Sequence, residues 1–436
     1  MLIVLYIALV ADTSIHVLSD IIFSFSISIY GIALFIAIGI VFLICPFFIL
    51  NHKYLPKDLG PMKLRSFSIH NLVQFEQIVL AAIMFAIIFQ ILLTLSYHKY
   101  ELMISIAISY GTATILMGIL ASKLLRWFTV SRSIVTLLFG LAVSLIGINA
   151  AVSLIYFEYV IGYEREISII TPDIVVLFET HFPDFSPMFF ISHIQQYSMA
   201  GYFIMTWTGT VFLLIHHSKR IGRTRFWILV ILPIFLFTYF YAILFDNAIP
   251  NNPVTQATPL EDLSFWLSYD YSAAVIGIFI GIGFYSVARS VKDNKIARSS
   301  LIIAGYGFIF YFTAAFATVI QTGYPPFGLA NVSFVGMAAF MIFTGLYNSA
   351  VSISRDVHLR NMIRKSVVHE ARFLSSISMA QMREELETNI FNITKKKSDE
   401  MSKLDNIYPS ISENEIKDYM NEILEEIIIS KQKSEK

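Results

Sequence analysis

The sequence predicts an all-α, polytopic membrane protein with about nine transmembrane helices and a helical cytosolic tail. Of its 436 residues, 56% are hydrophobic and 14% are charged, which is too apolar for a soluble globular fold. Nine apolar runs have roughly the length that crosses a bilayer, and basic residues collect in alternate connections between them. The residues after these runs, 354–436, are polar and contain no glycine.

The first apolar stretch, residues 1–11, lacks the basic region and the cleavage pattern of a signal peptide. At about 1.5 Å per residue, it also falls short of a hydrocarbon core of about 30 Å. We therefore expect residues 1–20 to form a short apolar leader, extracytoplasmic or interfacial, in which residues 1–11 are interfacial or loosely packed. Insertion of residues 1–11 as a tenth spanning segment is the alternative.

The nine apolar runs define a transmembrane domain over residues 21–353. Four of the connections carry fifteen Lys or Arg residues in total, whereas the alternate connections carry two. By the positive-inside rule, the N-terminus lies outside and the C-terminus inside, and we expect a plasma-membrane location. The runs lie at about 21–50, 71–96, 102–122, 133–159, 189–215, 226–245, 271–288, 299–321 and 328–353.

The sequence of the tail predicts three helices, at about 354–374, 379–394 and 413–430. The first continues the last membrane segment, because no Pro or Gly lies between Leu346 and Arg372. The last has an apolar stripe from Ile416 to Ile428. Such a stripe needs a partner, which is the second tail helix, a second copy of the chain or another protein.

Glu76 stands out as a carboxylate within an apolar segment, flanked by Gln74 and Gln77. Intramembrane carboxylates are costly and by default suggest a proton or ion pathway. The alternative is that Glu76, about 9 Å from the cytosolic start of its helix, snorkels to the surface or pairs with Arg65. In the fourth segment, Asn149 is expected to form hydrogen bonds across helices.

A group of carboxylates and imidazoles lies at the predicted outer ends of segments four and five. These side chains suit a divalent transition metal, and His193 shares a helix face with Gln196 and Tyr197. No pair has the spacing of a strong metal motif, so a solvated acidic loop is the competing interpretation. The weak metal candidates are Glu158, Glu179, His181 and His193.

The stretch VVHEARFL places His369, Glu370, Ala371 and Arg372 on a helix just after the last membrane segment. These residues resemble the phosphoacceptor box of sensor histidine kinases. Segments three to nine resemble, in topology, the seven-helix sensor modules of prokaryotic receptors, and the Ile-rich, Cys-poor composition is archaeal-like. The resemblance implies a sensor with a helical stalk but no kinase domain, because the glycine-free tail cannot form a phosphate-binding lid. A solvated surface histidine is the alternative for His369.

Three classes of function follow from these features. The first is a receptor-like or scaffold protein whose tail docks a partner, and the second is a secondary transporter or channel that uses Glu76. The third is a non-catalytic subunit of a membrane complex. No catalytic or phosphate-loop motif occurs, so we expect neither an enzyme nor a bound cofactor. The balance of 31 basic and 31 acidic residues predicts no nucleic-acid partner.

Overall fold

Helices make up the computed structural model, which describes residues 2–19, 29–51, 63–163, 186–215, 222–247, 259–291, 294–315, 325–355, 374, 376–385 and 393. This part of the chain is 94% helical. Its long helices are α1 (Leu2–Ser19), α2 (Ile29–Asn51), α3 (Lys63–Thr94), α4 (Lys99–Ser131), α5 (Ile134–Tyr163), α6 (Pro187–Leu214), α7 (Arg223–Asn247), α8 (Pro259–Ser290), α9 (Lys295–Ala315) and α10 (Leu329–Arg355). A short helix, α11, covers residues 376–385.

Six helices in the described ranges, α2, α3, α4, α5, α9 and α10, are long and apolar enough to cross a membrane. Large apolar side chains such as Phe75 and Phe85 of α3 point outward, where they are 67% and 62% exposed. Because such a surface is suited to lipid, the chain is a multi-pass membrane protein. The other three predicted segments are helical as parts of α6, α7 and α8 but do not meet the same criteria.

Helix α10 lies at the centre of the bundle. Residues 325–351 are all buried, and α10 packs against α1, α2, α3, α4 and α9. Glycine allows the closest of these approaches, since a Cβ atom at Gly345 would lie 2.5 Å from the backbone nitrogen of Ala304 in α9. Protein rather than lipid therefore surrounds α10, so its polar groups can face polar groups of other helices.

Helix α1 is fixed to the N-terminus of α10. Leu5 and Leu9 are each 1% exposed and Asp12 is fully buried. Oδ2 of Asp12 accepts hydrogen bonds from the backbone nitrogen of Asn331 at 3.3 Å and from its Nδ2 at 3.1 Å. Since the first N–H groups of a helix have no partner within it, Asp12 caps α10 from a neighbouring helix. The leader is thus packed into the bundle, in contrast to the loose packing that we expected.

The described part of the tail also packs on the bundle. Leu374, Ile377 and Ala380 are at most 1% exposed. On α11, Glu384 forms salt bridges with Lys123 and Arg126 of α4. Helix α11 therefore lies at the end of the bundle where α4 ends and where Lys123 and Arg126 are located.

At the other end of α11, the Ser376 hydroxyl lies 3.0 Å from the Thr136 hydroxyl at the start of α5. The described residues 376–378 are already helical, ahead of the predicted start of the second tail helix at residue 379. The predicted helix at 413–430, with its stripe from Ile416 to Ile428, and most of the predicted helix at 354–374 lie outside the described residues.

Candidate functional site

The carboxyl group of Glu76 lies where α3, α4 and α10 meet. Glu76 is 2% exposed, and neither carboxylate oxygen has a hydrogen-bond partner among the described residues. Thr112 of α4 faces the carboxyl group without reaching hydrogen-bond geometry. A Cβ atom on Gly336 of α10 would overlap Oε1 of Glu76 and lie 2.9 Å from its Cδ. The carboxylate therefore lies directly against the backbone of the central helix.

The helical periodicity of α3 turns Glu76 inward. Val73, Glu76 and Leu80 share one face and are at most 2% exposed, whereas Phe75 on another face is 67% exposed. Helix α3 begins at Lys63, thirteen residues before Glu76, which corresponds to about 20 Å along the helix. The prediction that Glu76 snorkels from a nearby helix start is wrong, because its carboxylate is buried in the interior. The side chain of Arg65, the other predicted partner, lies outside the described part of the structure.

Ser109 of α4 ties the backbone of α10 to the site. Its Oγ donates a hydrogen bond to the carbonyl oxygen of Val332 at 2.7 Å and accepts one from the backbone nitrogen of Gly336 at 3.0 Å. In a regular α-helix these two backbone groups pair with each other. A side chain that enters this hydrogen-bond ladder is a recognised cause of local helix distortion. The site thus combines an unpartnered carboxylate with a turn of the central helix that Ser109 also hydrogen-bonds.

Other polar groups near the same helices also lack partners within the described ranges. Gln77 is 1% exposed, and neither its amide nitrogen nor its oxygen forms a hydrogen bond. The same holds for the hydroxyl groups of Tyr110 on α4 and Ser333 on α10. An unsatisfied buried polar group costs about 1–3 kcal/mol. Polar atoms retained at such a cost make this interior the leading candidate for a functional site.

The proposed metal residues do not form a cluster in the described part of the chain. Glu158 is exposed, while His193 donates from Nδ1 to the carbonyl oxygen of Phe189 at 2.8 Å within the same helix. Glu179 and His181 lie outside the described residues. Among the described residues, no group of three or more His, Cys, Asp or Glu side chains is suited to a metal. The metal site remains a prediction without structural support.

Two further predictions have different outcomes. Nδ2 of Asn149 lies 3.0 Å from the carbonyl oxygen of Gln195 and 3.0 Å from Oγ of Ser198, so the predicted hydrogen bonds across helices α5 and α6 are confirmed. His369, the residue of the kinase-like box, lies outside the described residues. Its assignment stays a prediction.

Sequence reasoning identified Glu76 but missed the residues that surround it. Ser109, Thr112 and Gly336 are small residues in apolar segments, where they are equally typical of ordinary helix packing. The separation of 227 residues between Ser109 and Gly336 gives no local signal of their contact. Comparisons with protein families, curated proteins and solved structures found no match. The geometry of the site therefore carries the functional argument.

Proposed function

We propose that this chain is a plasma-membrane protein that moves a proton or a monovalent cation across the bilayer, as a secondary transporter or a channel. Glu76 is the ion-binding residue. The observation that carries this proposal is a carboxylate that is 2% exposed and has no hydrogen bond to any described residue. An isolated charge of this kind is very costly in an apolar interior, so it requires a neutralising ligand.

The position of Glu76 between helices supports ion movement rather than permanent binding. Its carboxylate contacts α10 at a glycine, which has no side chain of its own. Because α3, α4 and α10 are separate helices, a change in the charge of Glu76 can alter how they pack. Transporters commonly place ion sites at such junctions between helices.

The proposed topology has nine crossings, formed by α2 to α10, with the N-terminus outside and the tail in the cytosol. The distribution of basic residues supports this orientation through the positive-inside rule. The salt bridges of Glu384 with Lys123 and Arg126 support it further, because they hold the tail at the basic end of α4.

Flux measurements in reconstituted vesicles test the proposal. Purified full-length protein is placed in vesicles with a potassium gradient, and valinomycin imposes a membrane potential. Proton uptake is followed with an internal pH dye, and sodium uptake with a radioactive tracer. We expect flux of one of these ions in the native protein and flux at the level of protein-free vesicles in Glu76→Gln.

The matched control is Glu158→Gln, which removes an exposed carboxylate of α5 and should preserve the flux. Absence of proton and sodium flux in the native protein would overturn the proposed function. Equal flux in the native protein and in Glu76→Gln would remove Glu76 from the pathway.

A second candidate, a sensor-like protein, is favoured by the docking of α11 on α4 and α5. In that case a shift of α10 is transmitted along the tail to α11. Cysteines at positions 136 and 376, in a Cys45→Ser background, report docking because the native hydroxyls there lie 3.0 Å apart. Insertion of one to four residues after Ser354 should change the disulfide yield with helical phase, and a yield that is independent of phase would exclude this mechanism.

A further inference from the structure

The site around Glu76 restricts which ion it can bind. Oε1 of Glu76 lies against Gly336 so closely that even a Cβ atom there would overlap it. Metal cations bound in proteins take several oxygen ligands at defined distances. Among the described residues, the hydroxyl facing the carboxyl group is that of Thr112, and no basic side chain forms an ion pair with Glu76. A proton is the cation that needs neither a cage of ligands nor additional volume.

The groups facing Glu76 from the neighbouring helices are uncharged in the described part of the structure. Helix α4 contributes the hydroxyl group of Thr112, and α10 contributes the backbone at Gly336, which Ser109 of α4 hydrogen-bonds. On α3 itself, His70 lies six residues toward the Lys63 end and contacts Phe340 of α10, with ring centroids 6.2 Å apart. Proton binding at Glu76 is thus free of a competing charge in its immediate contacts.

Ser109 hydrogen-bonds the turn of α10 that the Glu76 carboxylate contacts. Its hydroxyl donates to Val332 and accepts from Gly336, so its single proton is already used. The hydroxyl therefore cannot donate to Glu76, but it holds the Gly336 turn of α10 against α4. The Glu76 carboxylate contacts this turn at Gly336.

We infer that Glu76 is a proton-binding site and that Ser109 is a positioning residue, which sets the affinity of this site by fixing the turn of α10 between Val332 and Gly336. In each cycle the carboxylate takes up one proton to become a neutral carboxylic acid and then releases that proton. The inference rests on the proposed function for the transport step, but proton binding can be measured without transport.

Infrared difference spectroscopy between two pH values tests the inference on full-length protein in lipid nanodiscs. The carbonyl stretch of a protonated carboxylic acid should titrate in the native protein, disappear in Glu76→Gln and persist in Glu158→Gln. Ser109→Ala should shift the midpoint of this titration, whereas Ser109→Thr, which keeps the hydroxyl, should restore it. If Glu76→Gln does not fold, Glu76→Asp should keep the band with a changed midpoint.

Two results would overturn the inference. One is a carbonyl band that Glu76→Gln leaves unchanged. The other is a band that sodium removes at constant pH, which would assign the site to a metal cation. An unchanged midpoint in Ser109→Ala would remove the positioning role. Failure of the proposed function looks different, because the band would then titrate at Glu76 in a protein that supports no flux in vesicles.

Discussion

Asp12 and Glu76 are two buried carboxylates that face the same central helix and differ in their partners. Asp12 accepts hydrogen bonds from the backbone and the side chain of Asn331 through Oδ2. Burial raises the pKa of Asp12 to about 7, and the backbone of Gly328 and Ala330 opposes this rise by favouring the charged form. Its Oδ1 has no hydrogen bond of its own, and both oxygens of Glu76 lack one among the described residues. The two residues contact α10 within two helical turns of each other.

The comparison separates a structural carboxylate from a functional one. At the N-terminus of α10, unpaired N–H groups and the helix dipole compensate a negative charge. Further along α10, the backbone groups are used within the helix or by Ser109, so no hydrogen bond from the described residues compensates Glu76. Burial alone therefore does not identify a functional acid. The informative feature is burial without compensation.

The largest expected effect on stability is that of Asp12→Ala. It removes both hydrogen bonds to Asn331 and leaves the buried backbone N–H of Asn331 without an acceptor, so the free energy of unfolding should fall by about 3 kcal/mol. The Nδ2 group of Asn331 keeps its hydrogen bonds to α1. Asp12→Asn keeps an acceptor oxygen and should cost less. Thermal denaturation in detergent measures both variants, and a loss no greater than that of Glu76→Gln would contradict the assigned difference between the two carboxylates.

Gly336→Ala should have the next largest effect, because its methyl group overlaps Oε1 of Glu76. We expect the free energy of unfolding to fall by about 1–3 kcal/mol, the usual cost of overpacking. The same substitution made together with Glu76→Ala should cost less, since the overlapping group is gone. Gly118→Ala in α4 is the control, because no atom lies within 4 Å of its added methyl group. Equal losses with and without Glu76 would show that the two residues do not touch.

Glu76→Gln should change stability by less than about 1 kcal/mol, because it removes no hydrogen bond and keeps the shape of the side chain. The same variant is expected to abolish ion flux, so stability and function separate at this residue. A loss of stability as large as that of Asp12→Ala would instead indicate a structural role for Glu76.

The smallest effect is expected at the docked tail helix. Glu384 has charged partners, but its side chain is 16% exposed and that of Arg126 is 60% exposed. Such pairs contribute about 0–1 kcal/mol, and salt screens them. A double-mutant cycle of Arg126→Ala and Glu384→Ala should give a coupling energy in this range. A coupling above about 2 kcal/mol would make the tail contact comparable with the buried site.

Whether a contact could be predicted from the sequence depends on how far apart its two residues lie along the chain. The cross-helix hydrogen bonds of Asn149 could be expected because a polar amide in an apolar helix needs a partner. Predicting the inward position of Glu76 required the full length of α3, because this helix starts before the apolar run does. The packing of α1 was missed because an eleven-residue apolar stretch carries no signal for a partner such as Asn331, more than 300 positions away.

The sequence by itself determined that this is an all-helical, multi-pass membrane protein, because apolar length and charge distribution are local properties that lipid and water select directly. It also marked Glu76 as a costly residue. The tertiary structure decided that α10 is enclosed by the bundle, that Asp12 is compensated and that Glu76 is not. These distinctions depend on which backbone groups of distant helices come together, and packing in three dimensions determines that.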